Sequence, residues 1–378
     1  MNHLPEKLQN RLDSRKEKNA LRSLHVSKKM IDFSSNDYLG FGSSDIIFNT
    51  AFDVLKKNDL QKNGSTGSRL LSGNFKLYEA TEKQIAQIHK SEAALIFNSG
   101  YDANIGFYGS LPQREDVVVY DELIHASIRD GIRLGKSKSF KFKHNDLQNL
   151  EALLDRTKCD GEIYVITESV FSMDGDSPDL KALSDLCNQN RCRLIVDEAH
   201  AVGVIGKGIG LVQELGLQDQ VFARIITFGK ALGCHGAAVL GERNLIMFLI
   251  NFANSFIYTT ALSPHSIATI NAAYKQLNAT TNIKALHKNI ALFQSQIMLY
   301  KLDGYFLKSD SAIHCCAIPG NTKVKNIASK LIQKDFDVKA ILSPTVAVGK
   351  ERLRICLHSF NTEKEITEFV DLLATLIK

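Results

Sequence analysis

Apolar and polar positions along this chain follow two rhythms that take turns. Short runs of aliphatic and β-branched residues predict strands at 30–33, 93–97, 116–120, 161–168, 193–196, 225–227 and 237–240. Between most of them, apolar residues recur at three- and four-residue intervals and predict helices at 46–56, 78–90, 104–110, 125–134, 147–154 and 180–190. Strands alternating with helices imply an α/β fold with a mainly parallel sheet covered by helices. Residues 5–24 carry Leu8, Leu12 and Leu21 among charges, a marginal amphipathic helix. The most apolar stretch, 245–262, is interrupted by Asn251, Asn254 and Ser255, which suits a buried helix followed by a loop rather than a membrane span. Beyond Ser263-Pro264 a long helical stretch reaches about residue 299, then a smaller α/β unit has candidate strands at 313–318, 338–341 and 353–357. The expected division is an N-terminal segment 1–45, a large α/β domain 46–264 and a small C-terminal α/β domain 265–378.

Composition narrows the class. With 44% hydrophobic and 23% charged residues among 378, the chain can bury a large core as an ordinary globular protein. A net charge of +5 fits an enzyme handling anionic substrates better than a nucleic-acid binder. The seven cysteines are scattered without a CxxC pair, which reads as buried thiols in a reducing cytoplasm. The N-terminus is charged throughout and lacks the apolar centre of a signal peptide. The expectation is a cytoplasmic protein with no membrane and no nucleic-acid partner.

Ligands of such sheets collect at the carboxyl ends of the strands, so the residues just after each strand carry the chemistry. The run ending at Thr227 delivers Lys230 into a glycine-flanked turn, TFGKALG, with no other charge inside it. That setting predicts a shielded lysine, and a desolvated amine loses its proton more easily and can form an imine with a carbonyl compound. The strand at 193–196 ends in Asp197-Glu198-Ala199-His200. After 93–97, Ser99-Gly100-Tyr101 opens a helix whose first amides and dipole end would cradle a phosphate. His125 stands near a helix start and by itself reads as a capping or core histidine. The loop 168–176 offers Ser172 as a hydrogen-bonding group; its Asp-Gly-Asp lacks the later glycine and glutamate of a calcium loop, and no metal is expected. GKGIG at 206–210 does not directly follow a strand and lacks the full dinucleotide pattern. The basic run from Arg129 to Lys143 reads as a solvated face, with a patch for coenzyme A phosphates as the competing reading.

Several strings in one order make the chain resemble the α-oxoamine synthases: FSSNDYLG, GSTGSRLLSGN, NSGYDAN, DELIHASI, KHND, ESVFSMDGD, VDEAHAVGVIG, TFGKALG and RLR. They span roughly residues 20 to 357. These fold-type I enzymes use pyridoxal 5'-phosphate to join an amino acid to an acyl thioester with loss of carbon dioxide. The resemblance implies a seven-stranded, mainly parallel sheet flanked by helices. It is strongest toward the branch that condenses L-alanine with a pimeloyl thioester, on coenzyme A or a carrier protein, in biotin biosynthesis. A branch acting on glycine and acetyl-CoA, or another α-oxoamine synthase branch, is the alternative.

The resemblance also implies roles. Lys230 would hold the cofactor as an imine and then take the amino acid's α-proton; Asp197 would pair with the pyridine nitrogen and keep the ring an electron acceptor. His200 would hydrogen-bond the phenolic oxygen, with Ser172 nearby, and His125 would stack on the ring and contact substrate. Gly100, Tyr101 and Thr227 would hold the phosphate. Arg354 would bind the amino acid's carboxylate as a fork, and Arg22 and Thr345 would contact the acyl substrate. Without the resemblance, Arg354 reads as an exposed strand charge. Where many members of the branch carry Ile-Arg-Pro-Pro-Thr-Val-Pro, this chain has Ile341-Leu342-Ser343-Pro344-Thr345-Val346-Ala347, which bears on acyl selectivity but not on the cofactor. A homodimer is implied, with the loop 64–73 contributing across the interface. A nicotinamide-dependent dehydrogenase would rest only on the α/β pattern and GKGIG. A cofactor-less binding subunit would leave Lys230, Asp197, His200 and His125 without a purpose.

Overall fold

The structure is a computed structural model and describes residues 4–24 and 29–378. Its first strands in chain order are β1 (Ile31–Asp32), β2 (Ala93–Phe97), β3 (Val117–Asp121), β4 (Lys138–Phe142), β5 (Ile163–Glu168) and β6 (Arg193–Asp197). Then come β7 (Ala223–Thr227), β8 (Ala237–Gly241), β9 (Ile313–Ala317), β10 (Phe336–Asp337), β11 (Lys339–Ile341) and β12 (Arg352–Cys356).

The chain divides into two compact units: Asn36–Ser172 with Asp176–Lys284, and Met1–Ser35 with Met173–Gly175 and Ala285–Lys378. The larger unit is built on a seven-stranded sheet in the order β2-β8-β7-β6-β5-β3-β4. Every neighbouring pair from β7 to β4 is parallel, and β8 alone runs against both of its neighbours. Strand residues feed two cores by turns. On β5, Tyr164 and Ile166 enter the cluster holding Phe107, Ile128 and Leu249, while Val165 enters the opposite one with Leu150, Leu153 and Leu183. A sheet buried on both faces explains why its strands read as nearly continuous apolar runs.

β4 is the strand of the seven-stranded sheet that the sequence reading missed. It lies inside the basic run and pairs with β3 at the sheet edge, and its first four residues are exposed. Lysines on an edge strand discourage pairing with other chains, so the run is a solvated face and a strand together.

Three other expectations are corrected. The large unit extends past 264, because the helix Pro264–Ala279 packs on the helices Asp45–Lys57 and Lys76–Ile88 of that unit. The helical stretch to 299 is two helices, Pro264–Ala279 and Asn282–Leu299. Residues 29–35 belong with the C-terminal unit rather than with a separate N-terminal segment: β1 pairs in parallel with β10, and Phe33 stacks on Phe369 at 4.4 Å between ring centroids. That second unit also holds an antiparallel sheet, β11-β12-β9. Its last helix, Glu363–Ile377, starts with a reciprocal capping box between Thr362 and Glu365 and buries Ile366, Phe369, Val370 and Leu373. The helix Glu6–Glu17 buries none of its residues.

Among the described residues no helix is long and apolar enough to cross a membrane. No disulfide joins the cysteines, of which Cys159 and Cys234 are half-buried and the other five buried.

Candidate active site

The parallel strands of the larger unit end on one edge, and the turns that follow them surround a single cavity of about 270 Å³. Gly100 and Tyr101 come from the turn after β2, His125 from β3, Glu168 and Ser172 from β5, Asp197 and His200 from β6, and Thr227 and Lys230 from β7. Every residue assigned by resemblance to the cofactor therefore lines the same space. Arg22, Thr345 and Arg354 belong to the other unit and are not among the lining residues.

Each group has a local reason for its place. Lys230 follows β7 in a turn closed by the Gly233 amide on the Lys230 carbonyl at 2.8 Å. Gly233 adopts a φ of +62°, and a Cβ there would lie 2.1 Å from the Gly42 backbone nitrogen, so only glycine fits. The lysine is half-buried in the cavity wall, where the glycine-rich string had suggested a more shielded amine.

Asp197 is buried at the end of the central strand β6. Its Oδ1 accepts the Ala199 amide at 2.9 Å, and its Oδ2 accepts Asn104 Nδ2 at 3.3 Å. Asn104 also donates to Ser127 Oγ at 2.9 Å, and Ser127 Oγ lies 2.7 Å from His125 Nδ1. His125 caps the helix Ala126–Leu134, its Nδ1 accepting the Ser127 amide at 3.2 Å. Cap and cavity wall are thus one role, and the cap leaves the proton on Nε2. Burial lowers the His125 pKa; Asp197 opposes that shift, while the Lys230 and Arg129 charges add to it.

His200 is buried, with its Nδ1 2.8 Å from the hydroxyl of Tyr38, which donates to Asn36 Oδ1 at 3.1 Å. Glu168 accepts the His125 amide, and burial together with the Asp197 charge raises its pKa to about 8 despite Lys230. The sequence reading missed Asn36, Tyr38, Asn104, Ser127 and Glu168. All five lie within the quoted strings, but their residue types gave no separate signal, because they act through the orientation of other groups.

Ser99 caps the helix Gly100–Ser110 by accepting the Asp102 amide at 3.0 Å. The first-turn amides at Gly100 and Tyr101 have no carbonyl one turn back. A Cβ at Gly100 would come within 2.7 Å of Thr227 Cγ2, so glycine keeps this mouth open. The donor set is a helix N-terminus with adjacent hydroxyls for a phosphate, a buried carboxylate for a basic ring nitrogen, two imidazoles and one amine. Pyridoxal phosphate asks for those groups, and the residues fit it.

In the other unit, Arg354 is buried on β12, with 7% of its surface exposed, and its Nη1 donates to Cys356 Sγ at 3.0 Å. It is not the exposed strand charge suggested by sequence alone. Arg22 Nη2 reaches Thr345 Oγ1 at 3.5 Å.

With fold and site in place, comparison with known proteins gives the class. Residues 28–373 match the class I and II aminotransferases, and the chain belongs to that family and, within it, to the α-oxoamine synthases. The particular proteins it resembles are 8-amino-7-oxononanoate synthases. That of Emericella nidulans is 38% identical over 99% of this chain and 96% of its own length. The solved synthase of Francisella tularensis is 28% identical, with a TM-score of 0.78 over 93% of this chain and 98% of that one. The serine palmitoyltransferase of Sphingomonas wittichii shares the fold, with a TM-score of 0.90 at 23% identity over 99% of this chain and 98% of that one.

Proposed function

We propose that the chain is a pyridoxal phosphate-dependent acyltransferase that condenses L-alanine with a pimeloyl thioester, releasing carbon dioxide and forming 8-amino-7-oxononanoate, a step of biotin biosynthesis. One observation carries this reading. All eight residues named for the cofactor line one cavity, in a chain 38% identical over nearly its whole length to an 8-amino-7-oxononanoate synthase.

When bound, the cofactor supplies an electron sink for the pair left on the amino acid's α-carbon. The protein's own groups do the rest. Lys230 anchors the cofactor and moves the α-proton through Nζ. Asp197, fixed by the Ala199 amide and Asn104, holds a proton on the ring nitrogen. His125 would hold the cofactor ring from the cavity wall. His200, oriented by Tyr38, would bond the cofactor's phenolic oxygen, with Ser172 assisting. The Gly100 and Tyr101 amides and Thr227 would bind the phosphate. Arg354 pairs with the substrate carboxylate, and Arg22 and Thr345 meet the acyl chain. In the departing segment the Ser343 amide donates to Asn321 Oδ1 at 3.1 Å, so a serine anchored by its backbone stands beside Leu342 where an arginine-proline pair is common in the branch.

The enzyme works as a cytoplasmic homodimer with a shared active site in this reading. Exposed apolar side chains support it: Phe48 and Phe52 lie one turn apart on the helix Asp45–Lys57, and Leu70 and Leu71 stand on the loop expected to reach across. The discriminating experiment follows coenzyme A thiol release by purified enzyme with alanine plus pimeloyl-CoA and with glycine plus acetyl-CoA. Turnover of the first pair is expected. Turnover of the second pair alone would replace the substrate assignment.

A further inference from the structure

His144 lies outside the cavity lining, in the turn after the edge strand β4, yet both of its ring nitrogens face carboxylates. Nδ1 is 3.0 Å and 3.1 Å from the two oxygens of Asp121, and Nε2 is 2.8 Å from Asp176 Oδ2. Ionised carboxylates only accept hydrogen bonds, so this geometry calls for a ring that donates from both nitrogens. Carboxylic acids release their protons well below the pH at which imidazole does, so the shared proton belongs on the ring. Burial alone would lower the His144 pKa, but the hydrogen bonds and charges of Asp121 and Asp176 outweigh it and raise it to about 9.

The bridge joins the ends of three adjacent strands. Asp121 is the last residue of β3 and is fully buried; its Oδ1 accepts the Leu123 amide at 2.8 Å, starting the turn that presents His125. The Asn145 amide bonds Asp121 Oδ2 at 2.8 Å, and the Asn145 side chain donates to Asp176 Oδ2 at 2.9 Å. Asp176 closes the loop after β5, its carbonyl accepting the Phe171 amide at 3.0 Å, and the loop between them carries Ser172. The Phe171 ring meets the His144 ring edge-on at 4.4 Å. Around this core, Glu122 Oε1 accepts the His144 amide at 3.4 Å, and Lys141 pairs with Glu122 at 3.6 Å.

We propose that His144 is a positioning residue: as an imidazolium bridging Asp121 and Asp176, it holds the His125 turn and the Ser172 loop in register at the cavity. The inference rests on reading that cavity as the active site, but the bridge itself is measurable without cofactor.

The test uses full-length protein with ¹⁵N-labelled histidine and no added pyridoxal phosphate, comparing wild type with His144→Gln, His144→Arg and Asp176→Asn. Both His144 ring nitrogens are expected to carry protons at pH 7.5, and the His125 ring resonances are expected to move in His144→Gln and in Asp176→Asn. Cofactor titration and steady-state rates follow. His144→Gln should weaken pyridoxal phosphate binding and lower kcat by about tenfold, the loss of one charged hydrogen-bond bridge. Arginine is also a cation with donors for two carboxylates, so His144→Arg should recover more activity than the neutral variant of nearer size. A neutral His144 ring at pH 7.5, unmoved His125 signals, or a glutamine variant as active as wild type would each overturn the proposal. Wild-type protein that showed the charged bridge but bound no pyridoxal phosphate would instead sink the reading of the cavity.

Discussion

Tyr38 sets His200 through one hydroxyl, 2.8 Å from Nδ1, and passes its own proton toward Asn36. Tyr38→Phe leaves the ring volume but removes that partner inside a buried pair. Condensation should slow about tenfold, matching the usual cost of ~1–2 kcal/mol for an orphaned buried group, with little change in melting temperature beyond that. Glu168 gives a pH signature. Its folded pKa of about 8 lies above that of an unfolded glutamate, so the folded form keeps its proton and the associated stability is lost as pH rises from about 4.5 through 8. The melting temperature of the cofactor-free protein should therefore fall toward pH 9, and less so in Glu168→Gln. His144 works in the same direction: its contribution is whole below about pH 6.5 and gone above about 9. The melting-temperature gap between wild type and His144→Gln should close over that range. At this scale the sequence disclosed the groups that line the cavity, because lysine, aspartate and histidine after strands are chemically conspicuous. It was silent on Tyr38, Asn104 and Glu168, whose importance is their distance to another side chain.

Elements were legible where burial leaves a pattern. β2 was placed to the residue, and β5, β6, β7 and β8 to within two residues at either end, because sheet strands covered on both faces read as apolar runs. β4, with the sequence KSFKF, was invisible because its first four residues, both lysines among them, are exposed and leave no apolar run. Thr280 and Thr281, which separate two helices, carry no strong breaker, and the two were read as one. The helix Gly100–Ser110 carries the sharpest prediction at this scale. Gly100→Ala puts a methyl group within 2.7 Å of Thr227 Cγ2 at the cavity end of the helix, where the phosphate is expected. The chain should still fold, since other side chains are accepted at helix starts, but pyridoxal phosphate affinity should drop about tenfold, or ~1.4 kcal/mol. Fluorescence titration reads this directly, and unchanged affinity would remove the phosphate from that helix end.

For the whole molecule, the boundaries of the two units carried no local signal. The N-terminal residues 29–35 join the C-terminal unit through β1 and Phe33, a pairing across some three hundred positions that no local pattern announces. The dimer expectation is testable here as well: Phe48→Asp should shift sedimentation toward monomer and reduce activity by more than about tenfold, as a charge placed in an apolar contact does. The account's central claim is that Lys230 is the covalent anchor of pyridoxal phosphate. Borohydride reduction of the cofactor-loaded protein, followed by peptide mass spectrometry, tests it most directly. The account predicts the phosphopyridoxyl mass on the peptide containing Lys230 and none in Lys230→Ala; an unmodified Lys230, or the label on a different lysine, would contradict it.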